Sequence, residues 1–385
     1  MYNSGMQLFK SSSYVGSTAQ KFSRSLARWF PTPAMLYPPA AGIDISDGSI
    51  KWLLLQPYKS RYRIASYGEM IIEPGIVVNG TVQNVDGLAH ALREVKKRLG
   101  GVACAHAALP EEAAYVFEMH VPDGTAHDQV ISMIEFGFEG RVPIAPGAAV
   151  YDFDVIQRHD ESEGADIGVA VFSRELAEAY VAAFDAAGMQ LLSLEVEARS
   201  IARAISSGGA DEPVTLLVDF GRARTGFAVL KLGIPIFTST VEVGGDVITK
   251  TIAEQLSLSP EETQKFKNEQ GLFPDAGAKP EGMEALVGTA SALADEVARH
   301  YHYWDTRRNE KGERMTPVGR VVLVGGSANL KGLPDYLAGR VQAPTSVADI
   351  WRNVCNFDEY VPPVNSRDSL QYATAAGLAL RSFSV

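Results

Sequence analysis

Cysteine is nearly absent from this chain. Its two cysteines, Cys104 and Cys355, stand 251 positions apart. That is neither a disulfide framework nor a zinc-ligand spacing, and it fits a reducing compartment. No run approaches the ~18 consecutive apolar residues of a membrane-spanning helix, and the N-terminus lacks the apolar core of a secretory signal. The usual catalytic signatures are missing too. There is no Gly-x-x-x-x-Gly-Lys-Ser/Thr phosphate loop, no Gly-x-Gly-x-x-Gly fingerprint, no Gly-x-Ser-x-Gly elbow and no His-Glu-x-x-His pair. The seven histidines are scattered. His300 and His302, two apart, would point to different faces of a helix, so they make no metal site and read as surface or satisfied core positions. Basic charge is in deficit, 35 Lys and Arg against 46 Asp and Glu, and the net charge of −11 argues against nucleic acid as a partner. Acid, in turn, is missing from residues 1–40, where Lys10, Lys21, Arg24 and Arg28 contribute +4 and leave −15 on the remaining 345.

What is present is an ordinary globular composition, 46% hydrophobic and 21% charged over 385 residues, long enough for two or three domains. Residues 1–16 read as unstructured. In 17–30, Phe22, Leu26, Trp29 and Phe30 share one helical face, Lys21, Arg24 and Arg28 lie roughly opposite, and Pro31 and Pro33 end the segment. A short basic helix of this kind suits an anionic membrane surface. A helix packed on the body, or a disordered tail, fits the same pattern.

The body starts at Ala41. Strands are expected over 42–45, 50–55 and 62–67, then a helix over 86–99 with Asp86 as cap and Leu88, Leu92, Val95 and Leu99 as apolar stripe. A second α/β rhythm follows, with strands at 114–121, 150–156 and 167–172 and helices at 127–138 and 173–187. The second half restarts the pattern with strands at 214–220 and 226–232, helices at 245–256, 260–269 and 281–308, a strand at 321–324 and a small-residue helix at 373–381. Ser259, Pro260 and Glu262 form a strong start signal for the 260–269 helix.

One unit occurs twice. Residues 42–55, GIDISDGSIKWLLL, and 216–230, LLVDFGRARTGFAVL, both run apolar strand, Asp, polar turn with Gly and a hydroxyl, apolar strand. Turn amides in such a hairpin can cradle phosphate oxygens, Asp44 and Asp219 can hold Mg2+ through water, and Lys51 can reach a phosphate as a point charge. A single hairpin of this kind is most often only a turn. Two, 175 residues apart, point to two similar halves facing a shared cleft. The run VVLVGGSANLKGL at 321–333 adds a strand ending in Gly325-Gly326, where backbone can approach a flat ligand such as adenine. VEVGGDVITK at 241–250 places Gly244-Gly245 ahead of a helix.

In this order, Asp44 to Lys51, Asp219 to Thr225, Gly244-Gly245-Asp246, Glu261-Glu262 with Lys265, and Gly325-Gly326-Ser327 resemble the nucleotide motifs of the actin-like ATPase fold. The chain looks most like the PilM family, cytoplasmic actin-like proteins of type IV pilus assembly related to the division protein FtsA. The likeness extends to the EVEA run at 195–198, the LSLSPEETQKFKNEQGL run at 256–272 and the closing AAGLALRSF at 375–383, so it covers about 41–385. The resemblance implies an α/β fold of two RNase H-like halves. The first large subdomain would be 41–111 and 191–212, with an FtsA-like inserted small subdomain at 112–190. The second would be 213–240 and 319–385, with a small subdomain at 241–318. Residues 1–40 lie outside it.

The same resemblance implies ATP and Mg2+ as cofactors. Asp44, Ser46, Ser49 and Lys51 would line one phosphate loop, and Asp219, Gly221 and Thr225 the other. Gly325, Gly326 and Ser327 would approach the adenosine, Gly245 would stand ahead of its helix, and Glu262 and Lys265 would flank ribose and base. Asp44 and Asp219 would face the metal, and Glu197 would orient the attacking water. Two departures weigh against rapid hydrolysis. Ser46 and Asp47 stand where the family usually has Gly and then Ser or Thr, with the glycine delayed to Gly48, and Asp47 adds repulsion beside a triphosphate. Arg222 and Arg224 occupy the second loop, where small or polar residues are usual. The expectation is therefore an ATP-binding scaffold, at most a slow ATPase, under the inner membrane. It would bind the cytoplasmic N-terminal tail of a PilN-like bitopic membrane protein, among other pilus platform proteins, with nucleotide biasing the affinity. An FtsA-like division protein is an alternative, disfavoured because Val385 follows directly on the last helix, with no linker and amphipathic anchor. A sugar or acetate kinase is a third, disfavoured because no base aimed at an acceptor hydroxyl emerges.

Overall fold

The computed structural model describes residues 39–159, 164–259, 261–263, 266, 271–272, 283–308 and 312–383. The amphipathic 17–30 segment lies outside them. The chain divides into two compact units. One runs up to Arg203 and is completed by Thr374–Val385; the other is Ala204–Ala373.

The first unit begins with a meander of β1 (Ala40–Ile45), β2 (Ser49–Tyr58) and β3 (Arg61–Ile71). A short hairpin, β4 (Val77–Val78) and β5 (Thr81–Val82), leads to α1 (Val85–Arg98) and β6 (Cys104–Leu109). Next come β7 (Tyr115–Val121), α2 (His127–Phe136), β8 (Ala149–Arg158), β9 (Ala165–Ser173), α3 (Arg174–Ala186), β10 (Gln190–Val196) and α4 (Glu197–Ile205). The main sheet has the order β10-β6-β1-β2-β3, with β1 antiparallel to β2 and parallel to β6, and β6 parallel to β10. β1 and β6 are buried almost throughout, as strands with both faces covered must be. The α1 stripe of Leu88, Leu92, Val95 and Leu99 is buried, but the cap is Asn84, whose side chain accepts from the Gly87 amide at 2.9 Å. Asp86 sits inside the first turn instead, where its charge still complements the helix dipole.

Between β6 and β10 the chain builds a separate sheet, β7-β9-β8. Phe117, Met119, Val121, Ile167, Val169 and Val171 alternate along its strands and pack on Val130 and Ile134 of α2. α3 belongs elsewhere. Its Leu176, Tyr180 and Phe184 join α1 in the core of the main sheet.

The second unit comprises β11 (Thr215–Phe220), β12 (Thr225–Lys231), β13 (Ile234–Val241), α5 (Gly245–Leu256), α6 (Met283–Thr306), β14 (Arg320–Val324), α7 (Leu333–Val341) and β15 (Thr345–Val347). Its sheet has the order β13-β12-β11-β14-β15. The first strand is again antiparallel to the second and parallel to the fourth, so the order and polarity of the first sheet recur. His300 is buried on α6, stacked on Phe227 with ring centroids 4.0 Å apart, while His302 is exposed. Cys104 and Cys355 are both buried free thiols. Among the described residues, no helix is long and apolar enough to cross a membrane.

The last helix, α8 (Ala373–Arg381), returns to the first unit. A Cβ on Gly42 would fall 2.1 Å from the Ala375 carbonyl, and one on Gly377 would fall 1.7 Å from the Ser200 carbonyl. Glycine at both positions is what lets β1, α4 and α8 touch backbone to backbone. A buried ion cluster fastens the same place. Arg203 grips both Glu195 carboxylate oxygens at 2.6 and 2.8 Å and donates to the Gly377 carbonyl at 2.8 Å, and Arg381 also bonds Glu195.

Candidate functional site

The β1–β2 hairpin gathers four of the predicted residues. Register sets Asp44 directly opposite Lys51. The Lys51 ammonium donates to Ser49 Oγ at 3.3 Å and lies 3.6 Å from Glu69 on β3. Ser46 closes the turn, its amide and hydroxyl both donating to the Ser49 carbonyl, at 2.9 and 3.0 Å. Burial pushes the Asp44 carboxyl above its ordinary range; Lys51 opposes this and Glu69 adds to it. Such a desolvated carboxylate gains from another cation, and hydrated Mg2+ fits that need.

Asp47 takes a course the sequence does not reveal. Its two carboxylate oxygens accept from the amides of Asn79 and Gly80, at 3.1 and 2.9 Å. Those residues form the β4–β5 turn, both at positive φ. The charge expected to repel a triphosphate is thus held by two amides. Tyr180 on α3 completes this neighbourhood, donating to the Gly80 carbonyl at 2.8 Å. Burial holds its phenol protonated, reinforced by the charges of Glu197, Asp44 and Asp47. Glu197, half-buried at the first position of α4, therefore shares the neighbourhood of Tyr180. No sequence signal marked Tyr180, which reads as an ordinary core position of an amphipathic helix.

In the second unit, two separated segments converge on the carbonyls of Gly221 and Arg222. Ser327 Oγ donates to Gly221 at 2.9 Å, and the Gly245 amide donates to the same carbonyl at 3.1 Å. The Asp246 amide donates to Arg222 at 2.8 Å. The first amides of α5 are therefore engaged by the turn. Cβ atoms show how tight the convergence is. One on Gly245 would fall 2.0 Å from Ser327 Oγ, one on Gly244 2.4 Å from the Arg222 carbonyl, and one on Gly325, at φ +89°, 2.4 Å from Asp219 Oδ1. Gly326 differs, since a Cβ there would meet only Gln371 at 3.7 Å. Its backbone is open to a flat ligand.

Thr225 is fully buried and its hydroxyl donates to the Val243 carbonyl, so it ties β12 to the segment before α5. Arg222 reaches Asp246 at 3.6 Å, with both side chains exposed, a weak pair in water. Glu262 accepts from the Ser259 amide at 2.9 Å while Ser259 Oγ accepts from the Glu262 amide at 3.3 Å, a reciprocal capping box. The Ser259 bonds hold the Glu262 carboxyl below its ordinary range. Lys265 lies outside the described residues.

The family model for type IV pilus assembly protein PilM matches residues 42–383. This chain belongs to the PilM family. The solved PilM-PilN type IV pilus biogenesis complex contains a chain that superposes with a TM-score of 0.74 at 19% identity, covering 91% of this chain and all of that one. The ethanolamine utilization protein EutJ from Carboxydothermus hydrogenoformans follows at 0.51 and 17%, covering 94% and 99%. MreB5 of Spiroplasma citri, solved bound to ADP, stands at 0.50 and 13%, covering 88% and 94%. At these identities the structures establish the fold, the actin-like ATPase fold with its two RNase H-like halves. The cell division protein FtsA of Streptococcus pneumoniae is 25% identical over 158 residues. That match takes in 38% of this chain and about a third (35%) of FtsA's length, so the division-protein alternative is not favoured over the family that matches nearly the whole body.

Proposed function

We propose that this PilM-family chain is a nucleotide-binding scaffold of the type IV pilus inner-membrane platform, and that it holds the cytoplasmic N-terminal tail of a PilN-like bitopic membrane protein. The observation that carries the proposal is the superposition of the fold on the whole of one chain of a solved PilM-PilN complex. The tail would lie in the first unit, between the main sheet and the β7-β9-β8 sheet, as an extended peptide burying alternate apolar side chains. The protein would work on the cytoplasmic face of the inner membrane, held there by this partner and by 17–30 against anionic lipid.

The cofactor we assign is ATP with Mg2+, whose bound phosphates would bias the protein between states of different partner affinity. In the first unit, Asp44 and Lys51 would hold metal and phosphate charge, the Ser46–Ser49 turn would shape the loop, and Glu197 would orient water. In the second, Asp219 would face the metal, the Gly221 turn and Ser327 would bound the phosphates, and Gly326 would admit the base. Thr225 and Gly245 would support that turn from within, and Glu262 would support its own helix start. Hydrolysis would be slow.

The test is direct. Binding of a labelled N-terminal peptide from a PilN-like protein is measured with and without MgATP, in wild type and Asp219→Ala. Peptide binding that responds to MgATP in wild type and loses the response in the variant is expected. No peptide binding in any state would overturn the scaffold assignment; no nucleotide affinity at millimolar MgATP would overturn only the cofactor.

A further inference from the structure

The inserted sheet carries a cluster that plays no part in the nucleotide or tail assignments. His120 on β7 sits directly opposite Asp166 on β9 in the strand register. His159 follows the end of β8, whose final pair with β9 is Arg158 opposite Ala165. Three neighbouring strands thus bring two imidazoles and a carboxylate to one end of one sheet. His120 Nδ1 faces Asp166 Oδ1 at 3.0 Å, and His159 Nε2 faces Oδ2 at 3.1 Å. One donor atom from each residue lies within 4.8 Å of the others.

The backbone fixes the position of His159. Its amide donates to the Gly164 carbonyl at 2.9 Å. Gly164 has φ +91°, and a Cβ there would fall 2.1 Å from the Val121 carbonyl. Gly164 is therefore pressed against the end of β7, next to His120. The side chains remain reachable from solvent, at 36%, 30% and 17% exposure for His120, His159 and Asp166.

We infer that His120, His159 and Asp166 form a binding site for a borderline divalent transition-metal ion, Zn2+ first. Two imidazole nitrogens and one carboxylate oxygen are a three-ligand set that such an ion accepts, with water in the fourth position. Tetrahedral ligand arms of about 2.0–2.2 Å set donor atoms ~3.3–3.6 Å apart. That is a little wider than the two nitrogen–oxygen contacts and inside the 4.8 Å limit of the set, an adjustment that rotation of two partly exposed rings supplies. The ion would replace the protons now shared between the rings and Asp166. It would tie the adjoining ends of β7, β8 and β9 together and so brace the inserted sheet. Mg2+ and Ca2+ prefer all-oxygen sets, so the site is chemically separate from that of MgATP.

The experiment is a Co2+ titration of the full chain, carrying no histidine tag, followed in the visible spectrum. Competition by Zn2+ and by excess Mg2+ is then measured in wild type, His159→Ala and His120→Gln. We expect one Co2+ per chain with low-coordinate d–d bands, displaced by Zn2+ and indifferent to Mg2+. Affinity should fall by at least ~10–100-fold in both variants, with far-ultraviolet circular dichroism unchanged. His120→Gln keeps an amide that can still bond Asp166, so it guards against loss of fold. Retained affinity in a folded variant, absence of saturable binding, or sulfur-to-cobalt charge-transfer bands pointing to Cys104 or Cys355 would each overturn the assignment.

Discussion

Replacing Glu195 with Gln removes one charge from the cluster that fastens α8 and keeps its shape. Glu195 is only 8% exposed. Burial alone would raise its carboxyl, but Arg203, by charge and by its two-pronged bond, and then Arg381 bring it down to about 2 from the ordinary 4.5. That gap is worth about 3 kcal/mol of stability at neutral pH. Breaking a buried ion pair by deleting one partner costs about 3–5 kcal/mol, which agrees. Arg381→Ala should cost far less, about 1 kcal/mol, because Arg381 is one-third exposed and Glu195 keeps Arg203. A chain of two units need not unfold in one step. The suitable assay is therefore amide hydrogen exchange of β10 and α8 against denaturant, which reads opening of this region itself. A cost below about 1 kcal/mol for Glu195→Gln, or an equal cost for both variants, would refute the reasoning.

Gly377→Ala would stabilise an open helix by ~1 kcal/mol, but here the sign should reverse, because the new methyl meets the Ser200 carbonyl; a lowered melting temperature checks it. Asp47→Ala should cost about 1 kcal/mol and expose the Asn79 and Gly80 amides to faster hydrogen exchange, while unchanged protection there would count against Asp47 as their acceptor. The pH response of the first unit should be nearly flat and then steep. Burial, aided by Arg381, lowers His106 to about 4 from 6.5, so stability present above 6.5 is lost as pH falls toward 4. Burial raises Asp152 to about 6 from 3.8, so it gains stability over the same range, and the two offset. Glu195 then loses its contribution between 4.5 and 2. Asp152→Asn should uncover the His106 loss, seen as denaturant midpoints falling between pH 6.5 and 4; a flat profile in that variant would contradict the assignment.

Much of this fold was legible in the chain. The two hairpins declared themselves because each sets an Asp and a polar turn between apolar strands. The helices Gly245–Leu256 and Ala373–Arg381 fall on the bounds read from the sequence. β6, with the sequence CAHAAL, was not legible. A strand buried on both faces and filled by small residues shows no alternation and little β-branching. Nor could spacing choose Asn84 over Asp86 as a cap, since either side chain can serve.

The site divides along the same line. The local sequence determined Asp44 across from Lys51, the Ser46–Ser49 turn and the Ser259–Glu262 box, because each joins residues within one hairpin or one helical turn. Only the tertiary structure decided that Asp47 binds the β4–β5 turn, that Tyr180 stands among Asp44, Asp47 and Glu197, and that His120 and His159 share Asp166. Most of those partners lie tens of residues or more apart, and the nearer ones sit on different elements. Their meeting depends on strand register and on how closely glycines let backbones cross, neither of which is written in the spacing of the residues themselves.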